Sequence, residues 1–275
     1  MNDKNNKVMN FKFTCEKEDD GLPVVDIIAQ TTSLSKSLVK KLMANGSVFQ
    51  TFKNNRKHVR KARKTAKAGD LIECYYDPTI NLDFNFEFNL LFETKNYGIY
   101  HKPAGAMSEG NNYGDRTSLI RHVEKIKRDV YLVNRLDREI EGLVLVAYNS
   151  RTQNFMQEMW RENVVKKYQA VVLGRIRDQG FFDKKINNKF TKTIYTCINV
   201  VDNRSYVEIK AVTERKYQIR MHFSDNGHPI IGDPIYGEHN KNSKGLMLIS
   251  YSLEFEDPHD QRQIKVELPQ DRMLF

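Results

Sequence analysis

Asn134-Arg135-Leu136-Asp137-Arg138 is a knot of polar and charged side chains set between two apolar runs. Tyr131-Leu132-Val133 leads into it, and Gly142 opens the run from Leu143 to Tyr148. That second run is almost wholly apolar and is closed by Asn149-Ser150, which predicts a strand buried on both faces. A carboxylate at the mouth of such a strand is costly unless it has a partner. Arg135 and Arg138 flank Asp137, and an opposite charge nearby holds a carboxylate ionised at neutral pH. An ionised carboxylate in that position is ready to act as a nucleophile or a general base.

The remaining composition narrows the class. The chain has 275 residues, enough for one large domain or for two with one of them small. Hydrophobic residues make up 40%, with 15 Phe and 13 Tyr, which excludes a disordered protein. The net charge of +9 favours an anionic partner such as nucleic acid or an anionic membrane surface. No apolar run approaches the ~20 residues that a membrane span needs. The opening MNDKNNKVMNFKF lacks the apolar centre of a secretory signal. Cys15, Cys74 and Cys197 are odd in number and far apart, so neither a disulfide framework nor a CxxC metal site is expected. These features together predict a cytoplasmic protein.

Elements that would position the knot can be read along the chain. Residues 1–23 read as a polar tail with a short MNFKF patch that could add an edge strand. Ser33 or Ser35 can cap a helix whose buried stripe is Leu34, Leu38, Val39, Leu42 and Met43. Lys36, Lys40 and Lys41 lie off that stripe, and Gly46 suits the residue just past the helix end. Val48-Phe49 and Leu71-Ile72 predict short strands, with a turn at Asn54-Asn55. Residues 24–80 hold eleven Lys or Arg against four Asp or Glu, so seven of the nine excess charges lie in a fifth of the chain. Arg56, Lys57, Arg60, Lys61, Arg63 and Lys64 concentrate that charge. A charge run is often only a solvated face. Beside a helix-turn element it is also the electrostatic footprint of RNA contact.

Asp77-Pro78 reads as a linker, and Leu82, Phe84, Phe86 and Phe88 alternate as a strand opening a second domain over 81–275. Leu119, Ile120, Val123 and Ile126 predict a helix within 115–128. Ser150 can cap another to Glu162 with Phe155, Met156, Met159 and Trp160 inward. Val164–Gly174 and residues 204–211 and 246–258 predict strands, whereas 175–204 lacks clear periodicity. His222, His228, Asp233 and His239 have metal-ligand side chains, but their spacing fits no compact motif, and Gly-His-Pro and Gly-Asp-Pro read as turns.

The stretch NRLDREIEGLVLVAYNS resembles the HRLDRxTSGLLLxAxx signature of the RluA-type RNA pseudouridine synthases, with Asn134 for His and Ile140-Glu141 for Thr-Ser. TERKYQIRMHFSDNGHPIIGDPIYG resembles that family's TGRxHQIRxHLAxxGHPIxGDxxYG, with Glu214 and Tyr217 in place of Gly and His. The Lys102-Pro103-Ala104-Gly105 segment and Lys166-Lys167-Tyr168-Gln169-Ala170, against the family's K-x-Y-x-A, also match, with His101 where Asn is common. In LMLISYSLEFEDP, Ile249 and Asp257 replace two histidines of the family. SLSKSLVKKLMANGSVFQ with KAGDLIE resembles the S4-type RNA-binding module.

The resemblance implies an α+β fold: a mixed, largely antiparallel central sheet flanked by helices, preceded by a small S4-like domain. It implies isomerisation of a uridine in structured RNA, ribosomal or transfer, with no cofactor, no metal and no obligatory protein partner. By resemblance Asp137 is the catalytic carboxylate, Arg220 its ion-pair partner and Tyr168 the tyrosine lining the active site. Arg135 would occupy the space left by the flipped uridine or grip a phosphate, and Lys102 would position rather than catalyse. An inactive RNA-binding or ribosome-assembly protein of the same ancestry, and a hydrolase using the His/Asp cluster, are the competing readings.

Overall fold

The computed structural model describes residues 8–78, 80, 86–237 and 240–275. The chain divides into two units. The first takes residues through Phe86 together with Glu109–His122, and the second takes Glu87–Ser108 with Val123–Phe275.

In the first unit the expected helix forms as α2 (Lys36–Asn45), following α1 (Val24–Thr32). Ser35 is its cap, accepting from the Leu38 amide at 3.2 Å, and Gly46 closes it in the left-handed conformation at φ 87°. Ser33 instead ends α1. The predicted stripe packs with Val24, Val25, Ile27 and Ile28 into one apolar cluster. It lies with a four-stranded sheet in the order β1 (Met9–Thr14), β4 (Leu71–Tyr76), β2 (Val48–Phe52), β3 (Asn55–His58). The MNFKF patch is thus an edge strand, with Met9, Phe11 and Phe13 packed against the cluster. Residues 109–122 join this unit because Asn45 and Ser47 donate to the Tyr113 carbonyl at 2.8 and 2.7 Å. The Asn45 carbonyl accepts from the Asp115 amide at 2.9 Å. Such side chain–backbone bonds leave no trace in composition, so a single boundary near residue 80 misses them.

The second unit is a ten-stranded sheet. Its path runs β10 (Gln179–Phe182), β11 (Thr193–Val201), β12 (Arg204–Ala211), β9 (Val165–Leu173), β13 (Leu248–Glu256), β8 (Glu141–Ala147), β6 (Tyr97–Lys102), β5 (Asn89–Glu93). β7 (Tyr131–Leu132) pairs with β8, and β14 (Gln263–Glu267) with β13. All pairings are antiparallel except β13 with β8. The fold is therefore the mixed, mainly antiparallel α+β class expected. The residues of 175–204 that lacked periodicity form the β10–β11 hairpin. Only alternate residues on part of β11 are buried, so the pattern is diluted. The strand expected over 77–89 falls partly outside the described residues; Phe86 and Phe88 lie in coil and the strand begins at Asn89.

Three helix expectations are corrected. The helix within 115–128 shortens to α3 (Leu119–Val123), leaving Ile126 64% exposed. Asn149, not Ser150, caps α4 (Ser150–Glu162), accepting from the Thr152 amide at 2.8 Å. Phe155 is 47% exposed, while Met156 and Trp160 enter the core, because the helix needs only a narrow stripe against the sheet.

β8 is the buried strand foreseen. Leu143, Leu145 and Ala147 pack toward Met156, Trp160 and Val164, and Val144 and Val146 are equally buried on the opposite face. Gly142 sits where β8 meets β13, at φ 144°; a Cβ there would lie 2.3 Å from the Ser250 carbonyl oxygen. Gly142→Ala should therefore destabilise the protein by about 3 kcal/mol, read as a lower urea midpoint with an unchanged slope.

Candidate active site

The loop 133–140 is held by backbone and side-chain bonds before any catalytic group is considered. The Val133 amide donates to the Leu145 carbonyl at 3.0 Å. Asn134 is buried and its Oδ1 accepts from the Leu145 amide at 2.8 Å, so its side chain extends the pairing with β8. Ser108 binds both the amide and the carbonyl of Leu136, each at 3.0 Å. The Gly105 amide donates to the Arg138 carbonyl at 2.7 Å, and Arg138 Nε returns a bond to the Gly105 carbonyl at 3.1 Å. Lys102 is fully buried and its ammonium donates to the carbonyls of Ala106 (2.8 Å), Pro103 (3.1 Å) and Arg138 (3.4 Å). Burial pulls its pKa down to about 7, against the pull of Glu139, Glu141 and Asp137. Lys102 is thus a strut between two loops.

This scaffold presents Asp137 with its side chain 22% exposed. The cation beside it is not a neighbour in sequence. Arg138 is turned to Gly105, and Arg135 is exposed. Arg220, carried by α5 (Gln218–Asp225), brings Nη1 to 3.6 Å from Asp137 Oδ2 and 3.5 Å from Glu139 Oε2. The stronger partner of Arg220 is Asp233, which accepts from Nε at 2.7 Å and Nη2 at 2.6 Å in a buried fork. Asp233 also accepts from the amides of Ile235 (2.9 Å) and Tyr236 (3.0 Å). Burial pushes the Asp233 carboxyl up, but the Arg220 bond and those amides hold it below the usual range.

Asp137 behaves differently. Burial raises its pKa, Arg220 offsets this only in part, Glu139 raises it further and Lys216 lowers it. Arg220, rather than an arginine adjacent in sequence, is thus the cation placed beside Asp137, and it lowers the carboxyl's pKa without cancelling the effect of burial. Charge pairing at 3.6 Å is too long for a good hydrogen bond and does not outweigh desolvation. A carboxylate in this state is more basic than an exposed one.

Tyr168 lies in β9, opposite Ser250 of β13 and Ile209 of β12. It is buried, and its hydroxyl donates to Glu214 Oε1 at 2.8 Å. Burial pushes the phenol well above its ordinary pKa, with Glu214 and Asp137 adding to the shift. Asp137, Arg220 and Tyr168, separated by tens of residues, are therefore linked: Arg220 pairs with Asp137, and the Asp137 charge reaches the Tyr168 phenol. Tyr217, left-handed at φ 62°, and Tyr236 set their rings at 5.8 Å, and the Arg220 guanidinium lies 4.9 and 5.5 Å from the two centroids.

The sequence reading missed Asp233 as the anchor of Arg220, treating Gly-Asp-Pro only as a turn. It also missed Glu139, Lys216 and Glu214 as neighbours of the site. The signal for Glu214 was present as a departure from the family pattern. The metal-type side chains are spent elsewhere. His222 faces Thr193 at 2.9 Å and Thr191 at 3.0 Å, and His228 faces the Leu173 carbonyl at 3.0 Å. His239 lies outside the described residues. Among the described residues no group of three such side chains could hold a metal ion.

In the first unit the basic residues divide into two sets. Arg56 donates to Glu73 and lies 3.5 Å above the Phe49 ring, Arg60 pairs with Asp115, and Lys36 pairs with Asp26 at 2.9 Å. These three are engaged by internal carboxylates. Lys40, Lys57, Lys61, Arg63 and Lys64 are exposed with no ion pair among the described residues, and Lys41, next to Lys40 on α2, is exposed as well.

A family model described as RNA pseudouridylate synthase matches residues 96–225, which include Asp137, Tyr168, Glu214 and Arg220. An uncharacterized RNA pseudouridine synthase of Mycoplasma genitalium is 26% identical over 90% of this chain and 87% of its own. A ribosomal large subunit pseudouridine synthase C of Vibrio parahaemolyticus is 23% identical over 89% of this chain and 88% of its own. The solved structure of human RNA pseudouridylate synthase domain containing 1 shares the fold with a TM-score of 0.57, at 20% identity over 66% of this chain and 83% of that one. Residues 96–225 therefore carry the match to the RNA pseudouridylate synthase family, and the similarity to RNA pseudouridine synthases extends over about nine-tenths of the chain.

Proposed function

We propose that this enzyme converts a specific uridine of a structured ribosomal or transfer RNA to pseudouridine, with Asp137 as the catalytic carboxylate. The observation that carries this is one partly exposed carboxylate, Asp137, paired with Arg220 and near enough for its charge to act on Tyr168, each residue on a different element. The N1–C1′ bond of the uridine breaks, the uracil turns, and C5 bonds to C1′. Asp137 acts at the sugar, by attack at C1′ or by taking the C2′ proton, and either role uses a carboxylate made more basic by burial. Arg220, fixed by Asp233, holds Asp137 in place through Nη1. Tyr168 supplies a ring beneath the freed uracil. A uridine in a helix reaches such a site only by leaving its stack. Arg135 is suited to the vacated space or to a phosphate.

The departures from the family pattern support an active enzyme, because each has a partner. His101 Nε2 lies 2.7 Å from Glu141 Oε1, pairing two departures with each other. Asn134 bonds to β8, Glu214 to Tyr168, and Asp257 accepts from the Tyr97 hydroxyl. The exposed cations of the S4-like first unit supply phosphate contacts. The name of the Vibrio relative assigns it the large ribosomal subunit, and the same class of RNA is a natural first candidate here.

Asp137→Asn should abolish pseudouridine formation while leaving RNA binding nearly intact. A transcriptome-wide pseudouridine map of cells with the gene intact, deleted or carrying Asp137→Asn should lose the same one or few sites in both altered strains. If no site changes in well-covered RNA, the proposal is overturned. The same variant should resist urea better than the native protein at pH 7. A carboxyl whose folded pKa is raised stabilises only below its unfolded value and loses that contribution as pH rises through the folded pKa. The advantage should therefore shrink as pH falls toward the ordinary carboxylate range.

Replacing Lys57, Lys61, Arg63 and Lys64 together with Ala should weaken RNA binding and flatten its dependence on salt. The slope of log K against log[salt] should fall by about 0.7–0.9 for each phosphate no longer neutralised. An unchanged slope would remove this run from the interface.

A further inference from the structure

Glu214 has no counterpart in the family pattern, where glycine stands, yet it is the best-connected carboxylate near Tyr168. One oxygen accepts from the Tyr168 hydroxyl at 2.8 Å, and the other accepts from the Trp160 indole nitrogen. Lys166, itself buried, donates to the Trp160 carbonyl at 2.7 Å and feels the Glu214 charge. Trp160 is fixed in turn by the apolar cluster beneath β8. The carboxylate is therefore held at both oxygens, one of them on the phenol that the family places against the uracil.

A buried phenol donating to a carboxylate is a poor base by itself. Burial and the charge of Glu214 both oppose forming a phenolate, so Tyr168 cannot hold the negative charge left by giving up its proton. It can pass a proton on. We infer that Glu214 is the terminal acceptor of the uracil C5 proton, reached through the Tyr168 hydroxyl. This rests on the synthase reading above and deepens it.

After C5 has bonded to C1′, C6 is doubly bonded to N1; the C5–H bond then breaks, its electron pair forms C5=C6, and the C6=N1 pair moves onto N1, which takes a proton from water. The C5 proton passes to the Tyr168 oxygen while the hydroxyl's own proton passes to Glu214 Oε1. Tyr168 ends neutral, Glu214 ends as the acid, and Glu214, which is only partly buried, returns the proton to water before the next turnover. Glu214 never touches the substrate. It is a positioning residue that also receives a proton, and a glycine, with no side chain, could do neither.

The test uses a transcript spanning the uridine whose modification disappears in the deletion strain, made with protium or deuterium at C5. Conversion of that transcript by the native enzyme decides the synthase reading on its own. Given that conversion, Glu214→Gln should slow single turnover by about 100-fold. It should also expose a primary isotope effect at C5 that the native enzyme shows weakly or not at all. Tyr168→Phe leaves the Trp160–Glu214 bond in place and should give the same isotope effect, so it carries the test if the Gln variant fails to fold. The double variant should be no slower than the slower single one, because the two groups act as a unit. Native speed in Glu214→Gln, slowing without a change in the C5 isotope effect, or effects that multiply in the double variant would each overturn the inference.

Discussion

The buried fork between Arg220 and Asp233 is the constraint on which the site depends. Arg220 is 1% exposed, and a guanidinium so enclosed is tolerable only with its charge matched and its donors directed. Asp233 takes two of those donors and is itself saturated by the Ile235 and Tyr236 amides, so the pair cannot rotate or slide. What remains is Nη1, aimed between Asp137 and Glu139. An arginine held only by Asp137 would follow that side chain. One anchored from behind fixes it. The sequence distance from 220 to 233 is short, and the Gly-Asp-Pro turn after α5 brings the anchor back to the helix.

The loop bearing Asp137 is fixed by a different chemistry. Its restraints are mostly backbone carbonyls and amides, reached by Lys102, Ser108, Asn134 and Gly105. Such restraints tolerate side-chain change at the positions between them. This is why Ile140 and Glu141 can replace a Thr-Ser pair without loosening the turn: the Ile140 amide still bonds to the Asp137 carbonyl at 3.1 Å, and Glu141 finds His101. Departures that looked like decay in one dimension are pairs in three.

The fold was legible wherever hydrophobic pattern and capping chemistry coincide. The α2 stripe with Ser35 and Gly46, the continuous run of β8 and the alternation of β12 were all readable from residue type alone. Legibility failed where partners are distant. No local signal says that Ile126 faces water, that Asn149 rather than Ser150 caps α4, or that residues 109–122 bond to Asn45 and Ser47. In the candidate site, motif resemblance alone singled out Asp137, Tyr168 and Arg220, and the local charge pattern suggests a different cation from the one the structure sets beside Asp137. It points to the arginines beside Asp137 in sequence, whereas neighbours in a tight turn point apart and the effective cation comes from α5.

The same geometry explains why the charged groups depart from their ordinary proton affinities in opposite directions. Lys102 is drawn down to about 7 by burial and Asp137 is pushed up by it, so each is displaced toward its neutral form. Asp233, with the arginine fork and two amides, is displaced toward the charged form. The distinction separates support from reactivity. A carboxylate given every donor it can accept is stable and inert. One left with a long ion pair and partly desolvated retains more basicity than an exposed carboxylate. Burial of the Asp137 carboxylate costs stability, and the largely buried strands β8 and β13, which meet at Gly142, supply the apolar packing that offsets it.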